Sequence, residues 1–515
     1  MATNFMEKYM RSKSNLFLTV SSTKVMLLVS ALMLAGCGGS DDDSDVGYVK
    51  FYNSSKNAPE ILLTIDQDLE SDDDDDDDNF EVTFYGTAYT DALINYEIDK
   101  GTYFYEMGWQ DEDSDDRDDL ALVAQGQTNV TKDTIQLLVL AGDVAAPEVE
   151  EYSIELLDDD EDDDNDLFNM RVLNMHPDSD GVDVYMSESD ETFNEATLVG
   201  QYNYKQLSDN QKFEQDEYIF YITKSGTEEV LFTSDDIDYS YPSQYVMIVR
   251  ENTGSGTSPY ALDKMSNSSI TEYLDTDSEA QFRAYNAIRQ HELIPNYTGT
   301  LDIYINGVDD EAEIQGLERG SYSATKVQDK GDYSLDLVIP NTTESLLSNH
   351  LLGLAENTNK TVFFYLNEED VDLDGDGNVD ENNDGIVDEI EVTIHSLVVN
   401  NSTRESIYDH QIDMINLVDN DDFNFVKFYF VRSDETIETA LYNRSAVYTQ
   451  PESIYLQNNT YQVFAVADVD SSEVILSSFE MILDEESDEL FLVVEADANE
   501  PTGYRVEMLK QTDDE

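Results

Sequence analysis

The segment Val371–Glu389 has the residue types and the spacing that bind a hard divalent cation. Acidic and amide side chains alternate with other residues in two tandem copies of eight, and Gly377 and Gly385 hold the sixth place of each copy. Ca²⁺ takes about six to eight oxygen ligands, which alternating carboxylates around a tight glycine turn can supply. The predicted ligands are Asp372, Asp374, Asp376, Asn378, Asp380, Asn382, Asp384 and Asp388. Ca²⁺ is therefore the expected cofactor, in a structural role.

A merely solvated acidic loop is the alternative, because the chain has other acidic runs. Asp72–Asp78, Asp111–Asp119 and Asp158–Asp166 lack both the alternation and the regular glycines, which indicates weak cation-attracting loops. The residues flanking the predicted calcium segment read as strands, so a helix–loop–helix site is excluded. The tandem copies resemble the thrombospondin type 3 calcium repeat. That resemblance implies that Asp384 or Asp388 completes the ligand shell.

The residues that usually carry catalysis form no recognisable set. The five histidines occur in no H-x-x-x-H or H-E-x-x-H arrangement, and the sequence has no G-x-S-x-G elbow and no glycine-rich phosphate loop. A glycosidase uses a pair of carboxylates, but in a chain with 114 acidic residues no particular pair can be singled out from the sequence. The sequence therefore predicts a protein that is not an enzyme.

Composition limits the class of partner. The 515 residues are 40% apolar and 10% aromatic, enough for several packed cores, and 27 basic against 114 acidic residues give a net charge of −87. Such a field repels nucleic acid and anionic lipid, which excludes both as partners. Adaptation to a salty medium and stoichiometric cation binding both explain the acidity.

The first residues of the chain predict export and anchoring. A basic start precedes the apolar run Val25–Ala35, which is too short to span a membrane and is typical of a secretory signal. The ending Leu34–Cys37 resembles the bacterial lipobox. This resemblance implies that residues 1–36 are removed and that Cys37 carries the lipid that attaches the protein to a membrane. Lipoproteins retained in the inner membrane typically have aspartate at the next position, where this chain has Gly38, so the resemblance favours the outer membrane, at its periplasmic face or at the cell surface. Residues 37–46 are predicted to form an acidic tether.

Four repeats set the architecture. Each opens with a strand that ends in asparagine: Val49–Asn53, Met170–Asn174, Gln281–Asn286 and Asp413–Asn416. A second alternating strand follows, and a tyrosine-led strand recurs later: Lys100–Met107, Asp216–Ile222, Gly331–Leu337 and Asn459–Val466. Short strands at this density predict β-sandwiches.

We therefore predict an all-β protein, a tandem array of four antiparallel immunoglobulin-like β-sandwich units. The units span residues 47–157, 167–272, 280–402 and 410–511, with an acidic linker at 158–166 and the calcium segment in the third unit. One isolated helix is predicted at Glu344–Leu354.

The opening of the second unit, Arg171–Tyr185 (RVLNMHPDSDGVDVY), resembles a bacterial domain-of-unknown-function family whose units begin V-N-x-x-P-D-x-x-x-V-D-V-Y. The resemblance covers about fifteen residues, and the other units lack its P-D pair. It implies an immunoglobulin-like sandwich in secreted and surface proteins, and no activity.

The expected function is structural or adhesive binding of a protein or a glycan, with calcium stiffening the third unit. A surface or periplasmic cation-binding protein and an accessory subunit of a glycan-handling system are the alternatives. The ligand and the oligomeric state are not encoded in any recognisable motif.

Overall fold

The computed structural model describes residues 45–67, 80–110, 120–157, 166–177, 181–308, 311–372, 379, 387, 389–419, 423, 425–469 and 472–512. Every regular element in these ranges is a β-strand, which confirms the predicted all-β fold. Within the same ranges, no helix has the length and apolar character needed to cross a membrane.

The strands form four consecutive sandwiches. Those of the first are β1 (Val46–Ser54), β2 (Ile61–Asp66), β3 (Glu81–Thr87), β4 (Tyr96–Asp99), β5 (Gly101–Trp109), β6 (Ala121–Val130), β7 (Thr134–Ala141) and β8 (Glu148–Glu155). Those of the second are β9 (Leu167–Asn174), β10 (Val182–Glu188), β11 (Thr197–Tyr202), β12 (Gln206–Leu207), β13 (Gln211–Glu214), β14 (Glu217–Lys224), β15 (Val230–Thr233), β16 (Ile237–Asp238), β17 (Gln244–Glu251), β18 (Tyr260–Met265) and β19 (Ile270–Tyr273).

The third sandwich has β20 (Ala280–Asn286), β21 (Thr300–Ile305), β22 (Ile314–Glu318), β23 (Lys326–Gln328), β24 (Gly331–Val338), β25 (Ser345–Leu354), β26 (Asn359–Asp370) and β27 (Ile390–Asn400). The fourth has β28 (Asp409–Asn416), β29 (Phe425–Val431), β30 (Tyr442–Val447), β31 (Glu452–Gln457), β32 (Asn459–Val469), β33 (Ser472–Leu483), β34 (Leu490–Ala496) and β35 (Tyr504–Lys510).

All four sandwiches share one topology. In the first, the strand orders are β4-β1-β7-β8 and β3-β2-β5-β6, and the third and fourth repeat this arrangement. The second has the same arrangement with additional short strands. The first strand of each sandwich runs parallel to the seventh or its equivalent, in the pairs β1/β7, β9/β17, β20/β26 and β28/β34, while the other pairs are antiparallel. The sequence did not indicate this parallel pair, because it joins strands separated by most of a repeat.

In the first three sandwiches, the asparagine that ends the first strand hydrogen-bonds the two sheets to each other. Side-chain Nδ2 of Asn286, in β20, donates to the carbonyl of Leu317 in the opposite sheet (3.0 Å), and its Oδ1 accepts the N–H of Ile288 (3.1 Å). Asn53 and Asn174 make the same two kinds of bond. In the fourth sandwich Oδ1 of Asn416 accepts the N–H of Val418 (3.0 Å), while its Nδ2 has no hydrogen-bond partner among the described residues. The bond to Oδ1 is therefore the contact that all four repeats share.

The recurring tyrosine also has a structural role. The hydroxyls of Tyr103, Tyr218, Tyr333 and Tyr461 donate to the carbonyl four residues earlier, in Asp99, Glu214, Asp329 and Gln457, at 2.9, 2.8, 2.6 and 2.9 Å. This tyrosine corner is typical of immunoglobulin-like sandwiches.

The predicted helix at Glu344–Leu354 is wrong, since this segment forms β25. Its ladder with β24 contains two irregularities, and Asn349 lies in the left-handed region, with φ of 55°. Near its end, Leu352 and Leu354 are buried while Leu351 is exposed, which is the period of a strand. Pairing with β24 overrides the helical preference of the leucines.

The sandwiches pack in pairs through the sheets that contain their first strands. One apolar cluster joins Leu137 and Val139 of the first sandwich to Leu173 and Ile248 of the second. A second cluster joins the third sandwich to the fourth. Strands such as β7 are therefore buried on both faces, which explains why their sequences are nearly continuous apolar runs.

Candidate functional site: a cleft between three sandwiches

The predicted calcium segment connects β26 and β27, the last hairpin of the third sandwich. Its base is closed by a hydrogen bond from the N–H of Val371 to the carbonyl of Glu389 (3.0 Å). Glu369 lies directly opposite Glu391 in the ladder, and two like charges in this position destabilise a hairpin. Asp372 is partly buried, and the other predicted ligands lie outside the described residues: Asp374, Asp376, Asn378, Asp380, Asn382, Asp384 and Asp388. Among the described residues, no group of three acidic, histidine or cysteine side chains is placed to hold a metal ion.

Cys37, the signal segment and the acidic runs at 72–78, 111–119 and 158–165 also lie outside the described residues. The lipid anchor therefore stays a prediction.

Each histidine has its own local contact. The pairs are His176 with the carbonyl of Pro259 (3.2 Å), His291 with Glu368 (3.0 Å), His350 with Ser396 (3.0 Å), His395 with Thr393 (2.8 Å) and His410 with Asn458 (2.8 Å). These partners lie in three different sandwiches, so the histidines do not form one site.

A cleft of about 640 Å³ opens where the first, second and fourth sandwiches meet. Tyr85 and Trp109 line it from the first sandwich, Glu272 from the second, and Arg404 and Tyr455 from the fourth and the segment that precedes it. Its volume lies in the range of about 300–1,000 Å³ that is usual for ligand sites. Because residues from distant parts of the chain form it, the cleft exists only when the sandwiches are assembled.

The segment before β28 holds the fourth sandwich against the first. The N–H of Ile407 donates to the carbonyl of Asn57 (3.1 Å). The ring of Tyr408 stacks on Trp109, with centroids 5.3 Å apart and planes inclined by 16°. This stacked pair fixes the indole at the edge of the cleft.

The two basic side chains that line the cleft are paired with acidic neighbours. Lys56 Nζ lies 3.2 Å from carboxylate oxygens of both Glu251 and Glu405, so it bridges the second sandwich and the segment before the fourth. Arg404 Nη2 lies 2.8 Å from Asp409 Oδ1, and its guanidinium lies over the ring of Tyr455, 4.5 Å from the centroid. Both basic side chains are therefore held in place by neighbouring groups at the edge of the cleft.

A buried polar triad lies beneath the second-sandwich side of the cleft. Asp263 accepts hydrogen bonds from the hydroxyl of Tyr52 (2.8 Å), in the first sandwich, and from Nε of Arg250 (2.9 Å), in the second. Arg250 and Asp263 are each 1% exposed. Arg250 also contacts Glu272, which lines the cleft. The triad therefore connects the packing of two sandwiches to one wall of the cleft.

A second buried ionisable side chain, Glu489, lies next to Arg404. Glu489 Oε1 lies 3.7 Å from Arg404 Nη1, and its other oxygen accepts the N–H of Gln411. Burial raises the pKa of Glu489 to about 8, although Arg404 and this hydrogen bond act in the opposite direction. Its carboxyl group therefore changes charge near neutral pH, next to a cleft residue.

No motif in the sequence indicated any of the cleft residues. Trp109 is the single tryptophan of the chain, but nothing in its surroundings indicates that it meets Tyr408 some 300 residues later. The sequence does contain one pattern that matches the packing of the sandwiches in pairs. The residue before the asparagine of the first strand is a tyrosine in the first and third repeats, Tyr52 and Tyr285, and an aliphatic residue in the second and fourth, Leu173 and Ile415.

No family model and no curated protein matches the sequence. Several solved structures match the chain at low similarity. The TIE protein of Bacillus anthracis is 8% identical, over 89% of this chain and 75% of its own, with a TM-score of 0.15. A candidate adhesin from Bacteroides ovatus is 9% identical over 44% and 95% (TM-score 0.14), and a candidate cell adhesion protein from Parabacteroides distasonis is 8% identical over 68% and 98% (TM-score 0.13). These scores are too low to carry a functional argument.

Proposed function

We propose that this chain is a non-catalytic binding protein of the bacterial outer membrane. It is held there by lipid on Cys37 and binds its ligand, a protein or a glycan, in the cleft between the three sandwiches. The cleft carries this proposal, because three sandwiches converge on it with aromatic walls and with charged groups that are already paired. The lipobox resemblance of Leu34–Cys37 supports the location.

The binding role and the anchor are tested together on intact cells. Cells that carry the wild-type protein are expected to adhere to a mucin-coated or chitin-coated surface better than cells from which the protein is deleted. The variant Cys37→Ala is expected to leave the detergent-extracted membrane fraction and to reduce adhesion to the level of the deletion, because two or more acyl chains are needed for stable anchoring.

Two outcomes would contradict this proposal separately. Retention of the Cys37→Ala protein in the membrane fraction would show that lipid on Cys37 is not the anchor. Equal adhesion of wild-type and deletion cells to both surfaces, with the protein present at the outer membrane, would remove the adhesive role.

In the proposed mechanism, calcium stiffens the last hairpin of the third sandwich. The ordered spacing of Asp372, Asp374 and Asp376 supports a bound ion, and a cation above the hairpin would relieve the repulsion between Glu369 and Glu391. Calcium binding here would make the hairpin rigid and is not proposed to transmit a signal.

Titration calorimetry with CaCl₂ on the purified protein is expected to show tight binding of about one to three ions. At a free concentration of 100 times the Kd, one ion stabilises the folded protein by about 2.7 kcal/mol, which raises the melting temperature. The double variant Asp374→Ala, Asp376→Ala is expected to lose both effects. The matched control is Asp74→Ala, Asp76→Ala, which removes the same charge from an acidic run without the spacing. Equal loss in both double variants would assign calcium uptake to general acidity.

A further inference from the structure

The cleft presents aromatic faces to solvent. The side chain of Tyr85, in β3, is 91% exposed, and that of Tyr455, in β31, is 40% exposed. Both line the cleft together with Trp109. Single exposed aromatic residues are common on protein surfaces, but here three lie around one concavity. Tyr85 offers its ring to a bound molecule, whereas Arg404 lies over the ring of Tyr455, and Trp109 stacks on Tyr408 and packs against the core of the first sandwich.

The charge of the cleft differs from that of the chain. Its lining holds two basic residues, Lys56 and Arg404, and three acidic ones, Glu60, Glu272 and Asp409, in a protein of net charge −87. Because the field of the whole protein repels anions, an anionic ligand is disfavoured at long range. A cation would be attracted to the acidic surface everywhere and would gain little from this nearly balanced site. The cleft therefore favours a neutral ligand.

We infer that the ligand of the cleft is a neutral oligosaccharide. This inference rests on the proposed binding function and names its ligand class. The C–H faces of pyranose rings stack on exposed aromatic rings, and Tyr85 of the first sandwich and the partly exposed Tyr455 of the fourth provide such rings at the cleft, with Trp109 close by. Sugar hydroxyls both donate and accept hydrogen bonds, so they can bond to the side-chain amides of Gln110 and Gln457 and to paired carboxylates without displacing the existing ion pairs. A volume of about 640 Å³ suits a short run of sugar units better than a single ion or a helix.

The single tryptophan makes this inference directly measurable. Because Trp109 lines the cleft and the chain contains no other tryptophan, fluorescence excited at the red edge, where tyrosine does not absorb, reports on this site alone. The purified full-length protein is titrated with cello-, malto-, xylo-, manno- and chito-oligosaccharides, each at low and at high NaCl. At least one of them is expected to change the tryptophan emission saturably, with a Kd that is the same at both salt concentrations.

The variant Tyr85→Ala is expected to weaken that binding about tenfold, which is typical for the loss of an aromatic anchor at a binding site. Tyr85 is almost fully exposed, so its removal should leave the fold intact, as circular dichroism will verify. The matched control is Tyr241→Ala, an exposed tyrosine (71%) of the second sandwich outside the cleft, which should bind like the wild type.

Oligolysine is titrated in parallel as the competing ligand class. A saturable change with oligolysine at low salt that disappears at high salt, without any response to the five oligosaccharides, would overturn the neutral glycan and leave the cleft as a binding site. Binding of an oligosaccharide that is equally strong in Tyr85→Ala would overturn its placement in the cleft. If no titrant changes the emission, the glycan inference fails, whereas adhesion of intact cells would still test the proposed function independently.

Discussion

Replacement of Asp263 by alanine is expected to lower the free energy of unfolding by about 3–5 kcal/mol. The carboxylate is 1% exposed and is shared by the hydroxyl of Tyr52 and by Nε of Arg250. Without it, the buried guanidinium of Arg250 keeps, among the described residues, the partly exposed Glu272 as its one paired acid. A buried charge that has lost its partner is costly, so the contact between the first and second sandwiches should weaken. The measurement is urea denaturation followed by circular dichroism, read at the first transition because a chain of four sandwiches need not unfold in one step.

Two controls separate the loss of a partner from the loss of a charge. Asp236→Ala removes a negative charge from an exposed position of the same sandwich and should change the stability by less than about 0.5 kcal/mol. The triple variant Tyr52→Phe, Arg250→Met, Asp263→Leu replaces the whole triad by apolar groups and should be close to the wild type, since apolar replacements of buried ion pairs are often neutral. A cost below about 1 kcal/mol for Asp263→Ala would mean that the triad does not hold the two sandwiches together.

The other pair of sandwiches has a related arrangement. In the third sandwich Tyr285 occupies the place of Tyr52, immediately before the conserved position of the asparagine in the repeat, and its hydroxyl faces Glu495 of the fourth. Glu495 is paired with Arg505 (2.7 Å) on the neighbouring strand. Glu495 lies on β34, the seventh strand of the fourth sandwich. In the second sandwich, the equivalent strand β17 carries the arginine, Arg250. A tyrosine, an acid and an arginine thus lie at the contact of each pair, although the acid and the arginine have exchanged strands and the hydroxyl of Tyr285 forms no hydrogen bond among the described residues.

The fold was predictable from local pattern. Alternating strands such as Leu301–Ile305, the recurring asparagine and the tyrosine-led strand depend on residues close in sequence, and they gave four sandwiches correctly. The helix predicted at Glu344–Leu354 failed because its conformation depends on pairing with β24, which a local leucine pattern does not contain.

The candidate site was not predictable in the same way. The cleft requires Trp109, Glu272 and Tyr455 to meet, and their meeting depends on how whole sandwiches pack. The packing of the sandwiches in pairs is reflected in the sequence only by the alternation of tyrosine and aliphatic residues before the asparagine. This alternation can be interpreted only once the strands that pack against each other are known. The calcium segment is the opposite case, because its chemistry depends on spacing within one loop and is read from the sequence alone.

The variant Glu489→Gln is expected to gain stability over the wild type as the pH rises from 4.5 to about 8. Burial raises the pKa of Glu489 from 4.5 to about 8 in the folded protein. Below pH 4.5 the carboxyl group is protonated in both the folded and the unfolded chain and contributes no difference. Between the two values the unfolded chain releases a proton that the folded protein retains, so the free energy of unfolding falls as the pH rises. Each pKa unit corresponds to about 1.4 kcal/mol, which gives a total of about 4–5 kcal/mol above pH 8 as an upper value.

Because the chain contains many other carboxylates, the relevant quantity is the difference between wild type and variant, measured by urea denaturation at several pH values from 4.5 to 9. Glu485→Gln, which removes the same charge at an exposed position, is the matched control. A difference between wild type and Glu489→Gln that does not change with pH would contradict the raised pKa. The effect is also expected to reach the cleft, because Glu489 lies 3.7 Å from Arg404, which contacts Asp409 and Tyr455, and a negative charge on Glu489 would compete with them for the guanidinium. Ligand affinity should therefore change with pH in the wild type near pH 8 and remain constant in Glu489→Gln, which separates a role in the cleft from a role in stability alone.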